Sequence, residues 1–327
     1  MKAIIPVAGI GIRLRPHTHT SPKALLDVAG KPILAHILDE LVALGIDEVV
    51  LVVGHLRERI EAFARARYGR LRLHFVAQHE PLGNGHAVYV AREHLDGSPA
   101  LIIFGDTIVK GDLAGMLRSQ KSLAGVTEVD DPRRLGVVEL GPDGNIRRII
   151  EKPQDPPTNL AVIGGYFLRN PVLLRAALER QVAENLQARG EFWLADALQL
   201  MIDAGETMGV FRVEHWYDCG TLEALLQANR ELLDFDPPRV SSNQRSRIIP
   251  PSYVDPTADV GNSVIGPHAS IGERARVMNS TISDSIIGPA ANVENSRHEH
   301  SLVGERAVVK GRSGRVNVAE SGEGETV

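Results

Sequence analysis

The sequence predicts an α/β domain on a mostly parallel β-sheet, followed by a short left-handed parallel β-helix. Three features carry this expectation. Up to about residue 233, brief aliphatic runs alternate with longer amphipathic ones. After residue 247, aliphatic residues return at steps of five or six. Between the two lies a polar, proline-containing junction. The expected boundaries are 1–233 for the first domain, 234–247 for a linker, 248–311 for the β-helix and 312–327 for a polar, disordered tail.

In the first domain, Lys2–Val7, Glu48–Val53, Leu71–Val76 and Ala100–Phe104 read as strands, being short and rich in β-branched residues. Pro32–Leu44, Leu56–Tyr68 and Gly85–His94 carry apolar residues at helical spacing, with Pro32 where a first turn tolerates proline. Strands alternating with helices imply a parallel sheet whose ligand site lies beyond the carboxyl ends of its strands. The residues just after each strand are therefore the place to look for chemistry.

In the second domain, Val254, Val260, Ile265, Ile271, Val277, Ile282, Ile287, Val293 and Val309 mark the period, and Gly261, Gly266, Gly272, Gly288 and Gly304 each follow an Ile or Val. A hexapeptide period of this kind stacks one turn on the next. A strand-rich sandwich would instead alternate with period two. A short coil stack leaves apolar edges that a second copy can cover, so a homo-oligomer formed through the β-helix is expected.

The composition narrows the function. The chain has 327 residues, 43% hydrophobic and 24% charged, with a net charge of -5. That length accommodates two domains, and the acidic balance argues against a nucleic-acid partner. No apolar run of about 18 residues is present, so no membrane span is expected. The single cysteine, Cys219, rules out an intrachain disulfide framework or a cysteine zinc site. The N-terminus enters a strand-like run at once, without room for a signal peptide, which makes the cytoplasm the expected compartment.

Ala8-Gly9-Ile10-Gly11-Ile12-Arg13 follows the first strand, then Ser21-Pro22-Lys23, with Lys23 ten residues after Arg13. Glycines after a strand let backbone N–H groups approach phosphates. The dinucleotide fingerprint needs a third glycine where Leu14 stands, and the P-loop needs a Gly-Lys-Ser/Thr that is absent. What remains is a glycine turn with a bidentate donor, Arg13, and a point charge, Lys23. Taken alone, it also fits an ordinary strand-turn with solvated charges.

This stretch resembles the Gly-x-Gly-Thr-Arg…Pro-Lys signature of the sugar-phosphate nucleotidyltransferases, with Ile12 at the threonine position. Five further segments resemble the same family in order: Gln78-His79-Glu80-Pro81-Leu82-Gly83, Asp130–Glu139, Glu151-Lys152-Pro153, Gly190-Glu191 with Asp196, and Trp216–Thr221. The resemblance implies a Rossmann-like nucleotidyltransferase domain. It implies that Ala8, Gly9, Gly11, Ile12, Gln78 and Gly83 bind the nucleotide, and that Gly136, Glu151, Lys152 and Val162 bind the sugar phosphate. Arg13, Lys23, Asp106 and Asp218 would be catalytic, the two aspartates holding one Mg2+.

The implied reaction joins a nucleoside triphosphate to a hexose-1-phosphate and releases pyrophosphate. Two anions must meet in line, so catalysis is mostly charge neutralisation and positioning. Lysine is scarce, seven against 29 arginines, which makes Lys23 and Lys152 less plausible as generic surface charge. The base stays open among thymine, uracil and guanine, with glucose-1-phosphate the expected acceptor and mannose-1-phosphate with GTP the alternative. A catalytically silent relative that binds nucleotide sugars and an acyltransferase acting through the repeats are the other readings. A direct role for His79 or His86 is not expected.

Overall fold

The computed structural model describes residues 1–238, 245–319 and 324–326. Residues 239–244 of the expected linker and 320–323 and 327 of the expected tail lie outside the described residues. The chain divides into two compact units, Met1–Gly9 with Ile37–Trp216, and Ile10–His36 with Tyr217–Val327.

The first unit is built on a mixed sheet. Lys2–Pro6 lies between Ala100–Ile103 and Glu48–Val53, and Glu48–Val53 pairs with Arg72–Ala77, all in parallel. Lys2–Pro6, Glu48–Val53 and Ala100–Ile103 are buried on both faces, as inner strands of a parallel sheet require, while the edge strand Arg72–Ala77 is only partly buried. The other half runs antiparallel, which corrects the expectation of a mostly parallel sheet. Leu160–Leu168 pairs antiparallel with Ala100–Ile103, Ser122–Glu128 and Gly136–Leu140, and Gly136–Leu140 with Ile146–Glu151. The physical reason is connection length: only residues 141–145 separate Gly136–Leu140 from Ile146–Glu151, enough for a hairpin but not for a helical crossover. Met208–Arg212 closes the edge in parallel with Ser122–Glu128. Helices Asn84–Val90, Pro171–Ala183 and Leu194–Asp203 contribute Ala87, Val88, Leu174, Leu178, Leu198 and Met201 to the same core as Ile4, Val50, Ile102 and Tyr166.

The second unit contains three parallel sheets that the chain visits in turn, the arrangement of a parallel β-helix. Asp259 pairs with Arg276, Arg276 with Asn292 and Asn292 with Val308, so one coil takes 16 or 17 residues. Val260, Val277, Val293 and Val309 stack inward, at most 1% exposed. Tight corners need left-handed backbone, and Asn262, Asn279 and Asn295 adopt it at equivalent positions with φ of 48–51°. Their amides form a ladder, Asn262 Nδ2 donating to Asn279 Oδ1 (2.8 Å) and Asn279 Nδ2 to Asn295 Oδ1 (3.1 Å). Ser263, Ser280 and Ser296 form a second ladder, each hydroxyl accepting the backbone N–H of the next coil. The stretch expected as a tail adds to the stack as far as residue 319. Val316–Val318 pairs with Leu302–Val303, and Val316, Val318 and Ala319 turn inward, at most 3% exposed.

Segment Ile10–His36 and helix Leu222–Phe235 belong to this unit as well. Thr221 caps the helix, its Oγ1 accepting from Ala224 N. Within the apolar face formed by Leu225, Leu226, Ala228, Leu232 and Leu233 sits Asn229, 1% exposed. Its Oδ1 accepts from Ala29 N (2.9 Å) and Ser270 Oγ (2.6 Å), and its Nδ2 donates to His268 O (3.0 Å). Ion pairs Arg230–Asp284 and Arg315–Glu223 flank it. The Asn229→Ala substitution leaves two donors and one acceptor without partners in a buried place, and is expected to destabilise the protein by about 2–4 kcal/mol. Thermal denaturation followed by circular dichroism measures the loss.

Candidate active site

In the first unit the residues expected at the carboxyl ends of the parallel strands stand there. Ala8 follows Lys2–Pro6 and Gln78 follows Arg72–Ala77, while Asp106 lies between strands Ala100–Ile103 and Thr107–Lys110. Val7 N donates to Val52 O and Gln78 N to Val53 O, extending the ladder into these loops.

Gln78 is 8% exposed. Its Nε2 donates to Gly83 O (3.1 Å) and to His86 Nδ1 (3.0 Å). Gly83 has φ 107°, and a Cβ there would stand 2.5 Å from Phe192 O, so both backbone shape and space demand glycine. Gly83 and its neighbours are tied to the segment after Glu191. Phe192 N donates to Leu82 O, Gly85 N to Phe192 O, and Leu194 N to Asn84 Oδ1, each at 2.8 Å.

The residues expected to bind the sugar phosphate lie on or beside neighbouring strands. Gly136 is the register partner of both Glu151 and Val162. A Cβ on Gly136 would lie 3.1 Å from Glu151 Oε2 and 3.8 Å from Val162 Cγ2, so glycine keeps the carboxylate's place open. Lys152 Nζ lies 3.7 Å from Glu151 Oε1 and 3.9 Å from the centre of the Trp193 ring. Over that ring face the ammonium is attracted by the negative π cloud. Trp193 is fixed in turn, its Nε1 donating to Ala188 O and its carbonyl accepting from the fully buried Gln181. Burial raises the Glu151 carboxyl above its ordinary value, more than Lys152 pulls it down, with Asp196 and Glu191 adding repulsion. Burial raises Asp196 as well.

In the second unit the glycine loop is folded on itself. Gly11 has φ 69°, and a Cβ there would stand 2.9 Å from Thr18 Cγ2 and 3.1 Å from Lys23 Cβ. Thr18 Oγ1 donates back to Gly11 O (2.8 Å), bringing the two ends of the motif together. Ile12–Leu14 forms a 3-10 turn whose cap has no side-chain hydrogen bond. Ile12 is 64% exposed, a large apolar side chain facing out where the resembled motif carries a hydroxyl. Asp218 ends strand His215–Asp218, and its Oδ1 accepts from Gly220 N (2.8 Å). The point where a Cβ would sit on Gly220 lies 2.8 Å from Asp218 Oδ1 and 3.4 Å from Arg13 Nη2. A side chain at 220 would therefore crowd the Asp218 carboxylate and the Arg13 guanidinium. Cys219 beside it is buried.

Among the described residues, no group of three or more His, Cys, Asp or Glu forms a metal cage. One or two carboxylates with phosphate oxygens and water suit Mg2+, and Asp106 and Asp218 are carboxylates of that kind. Asp106 belongs to the first unit and Asp218 to the second.

The nucleotidyl transferase family model matches residues 2–234. The chain belongs to that family. It is 32% identical to a glucose-1-phosphate thymidylyltransferase from Streptomyces griseus, over 94% of this chain and 93% of the relative. It is also 32% identical to the UTP–glucose-1-phosphate uridylyltransferase AglF of Haloferax volcanii, over 71% of this chain and 96% of the relative. The solved structure of apo UDP-glucose pyrophosphorylase superposes with a TM-score of 0.63 at 24% identity, covering 72% of this chain and 98% of the other, which speaks for the fold.

Trp193 and Asn229 were not singled out by their sequence context. Trp193 had a signal: the chain has only two tryptophans, and this one follows Glu191 by two positions.

Glu151→Gln tests the site's electrostatics. Because the folded carboxyl is raised, ionising it opposes folding at neutral pH, and the amide removes that cost. The variant is expected to melt a few degrees higher at pH 7. That gain shrinks as pH falls toward the ordinary carboxylate value, where Glu151 itself is protonated. Differential scanning calorimetry from pH 4 to 8 measures it.

Proposed function

We propose that this protein transfers a nucleotidyl group from UTP or dTTP to a hexose-1-phosphate, glucose-1-phosphate first, giving a nucleotide sugar and pyrophosphate. One observation carries the reading. The short span Phe192–Leu194 holds Leu82, Asn84 and Gly85 through main-chain and cap hydrogen bonds while its Trp193 ring sits under Lys152. Segments suited to a nucleobase and to a sugar phosphate are thus fastened to one support. The two relatives, one named for thymidylyl and one for uridylyl transfer, leave the choice between those bases open.

In this reading Lys152 holds the incoming sugar phosphate, and Glu151 accepts hydrogen bonds from sugar hydroxyls, with Gly136 and Val162 shaping the space. Gln78 and Gly83 meet the base, and the backbone of Ala8, Gly9, Gly11 and Ile12 faces the triphosphate. Arg13 neutralises charge gathering on the departing pyrophosphate, and Lys23 does so at the α-phosphate. Mg2+, held by Asp106 and Asp218, would supply Lewis-acid charge to the phosphate oxygens. A cytoplasmic location accords with such substrates, and among the described residues no helix is long and apolar enough to cross a membrane.

Two structural proposals accompany this one. The coil stack is left-handed, as its short aliphatic period suggests, and it is the surface through which copies of the chain associate. Sedimentation velocity is expected to show an oligomer at micromolar concentration, and a pure monomer would remove the second proposal.

Pyrophosphate release with Mg2+, glucose-1-phosphate and each of the five common triphosphates tests the reading. A clear rate with UTP or dTTP is expected. Asp106→Asn, Asp218→Asn and Arg13→Ala are each expected to lower kcat by about a hundredfold or more, and Lys152→Ala to act chiefly on KM for the sugar phosphate. Exposed Ile12 favours a second reading, a silent nucleotide-sugar binder. Turnover that appears only in Ile12→Thr would establish it.

A further inference from the structure

The two N–H bonds of the Gln78 amide are both spent inside the protein. One points to Gly83 O, an atom that can only accept, which fixes which end of the amide is nitrogen. The other points to His86 Nδ1, which must then carry a lone pair, placing the ring proton on Nε2. Among the described residues no group donates to Gln78 Oε1, so the amide has an acceptor to offer a ligand and no donor.

We propose that His86 is a positioning residue that locks the Gln78 amide oxygen-outward, and so makes this site select bases with an N–H on their pairing edge. This rests on the reading of Gln78 as a base contact. Uracil and thymine present N3–H and guanine N1–H, whereas cytosine N3 and adenine N1 are acceptors and would face Oε1 with lone pair against lone pair. UTP and CTP differ only at this edge, which makes them the sharpest pair for comparison.

The surroundings of His86 support the lock. The ring lies in the first turn of helix Asn84–Val90 and stacks between Tyr89 (6.0 Å between centroids) and Phe192 (6.2 Å). Phe192 is the residue that also holds Leu82 and Gly85, so ring and amide share one frame. Burial pushes the His86 imidazole below its ordinary value, with the carboxylate and backbone of Glu80 acting the other way, so the neutral form that accepts is the one present near pH 7. Gly83 O alone resists a flip of the amide. His86 Nδ1 gives the second N–H its partner, and a flip would cost that bond unless the ring also moved its proton from Nε2 to Nδ1.

The experiment is calorimetric binding of UTP and CTP to the full chain, with turnover measured in parallel. Wild type is expected to prefer UTP. In His86→Phe, which keeps an aromatic ring but no acceptor, the UTP:CTP affinity ratio is expected to fall about tenfold. In His86→Asn, whose Oδ1 can stand where Nδ1 stood, the ratio is expected to return to within about threefold of wild type. A merely structural role would lower both affinities together and leave the ratio unchanged. An unchanged ratio in His86→Phe, no rescue by His86→Asn, or no UTP preference in wild type overturns the proposal. Binding decides it independently of turnover: selective binding that His86 controls, without nucleotide-sugar formation, would sink the transferase reading and leave this one standing.

Discussion

Asn229 occupies the one place where an amide interrupts the buried face of helix Leu222–Phe235. Its three hydrogen bonds reach the segment carrying Arg13 and Lys23, through Ala29, and the β-helix, through Ser270 and His268. A buried amide is costly unless fully paired, so this network fixes one arrangement of three pieces that apolar packing alone would let slide. Asp218 lies four residues before the helix begins at Leu222, and the Thr221 cap holds that junction. The segment Ile10–His36 and Asp218 therefore belong to the same compact unit as the coil stack.

A comparable economy operates in the first unit. Residues 191–196 contribute a backbone clamp on the Leu82–Gly85 turn, an aromatic face for Lys152 and an acidic neighbour for Glu151. The carboxylates are held partly desolvated, with Glu151 raised by burial against the pull of Lys152. Folding alone does not favour a buried carboxylate beside Asp196 and Glu191. Trp193 helps because it holds the ammonium by attraction without neutralising it, so the charge remains available to a phosphate.

Much of this was legible in the sequence. Strand runs such as Glu48–Val53 and Ala100–Ile103 declare themselves because a strand buried on both faces must be continuously aliphatic. The motif residues Gly136, Glu151, Lys152 and Val162 were legible as a set by resemblance, and the structure brings them onto neighbouring strands. The sheet's second half was misread as parallel, since period and composition do not encode strand direction while connection length does. The stretch after residue 311 read as a tail because its glycines and charges dilute three inward residues, Val316, Val318 and Ala319.

Local sequence by itself determined the elements, the glycine turns and which residue types are available for phosphate, sugar and base, because propensity and spacing act over a few residues. Only the tertiary structure decided how long-range pairs are used: that Asn229 joins Ala29 to Ser270, that Trp193 supports Lys152, and that His86 fixes the amide of Gln78. Those contacts depend on side-chain direction and burial across the fold, which chain order does not carry. A histidine in the first turn of a helical pattern is mute until its Nδ1 is seen to face an amide.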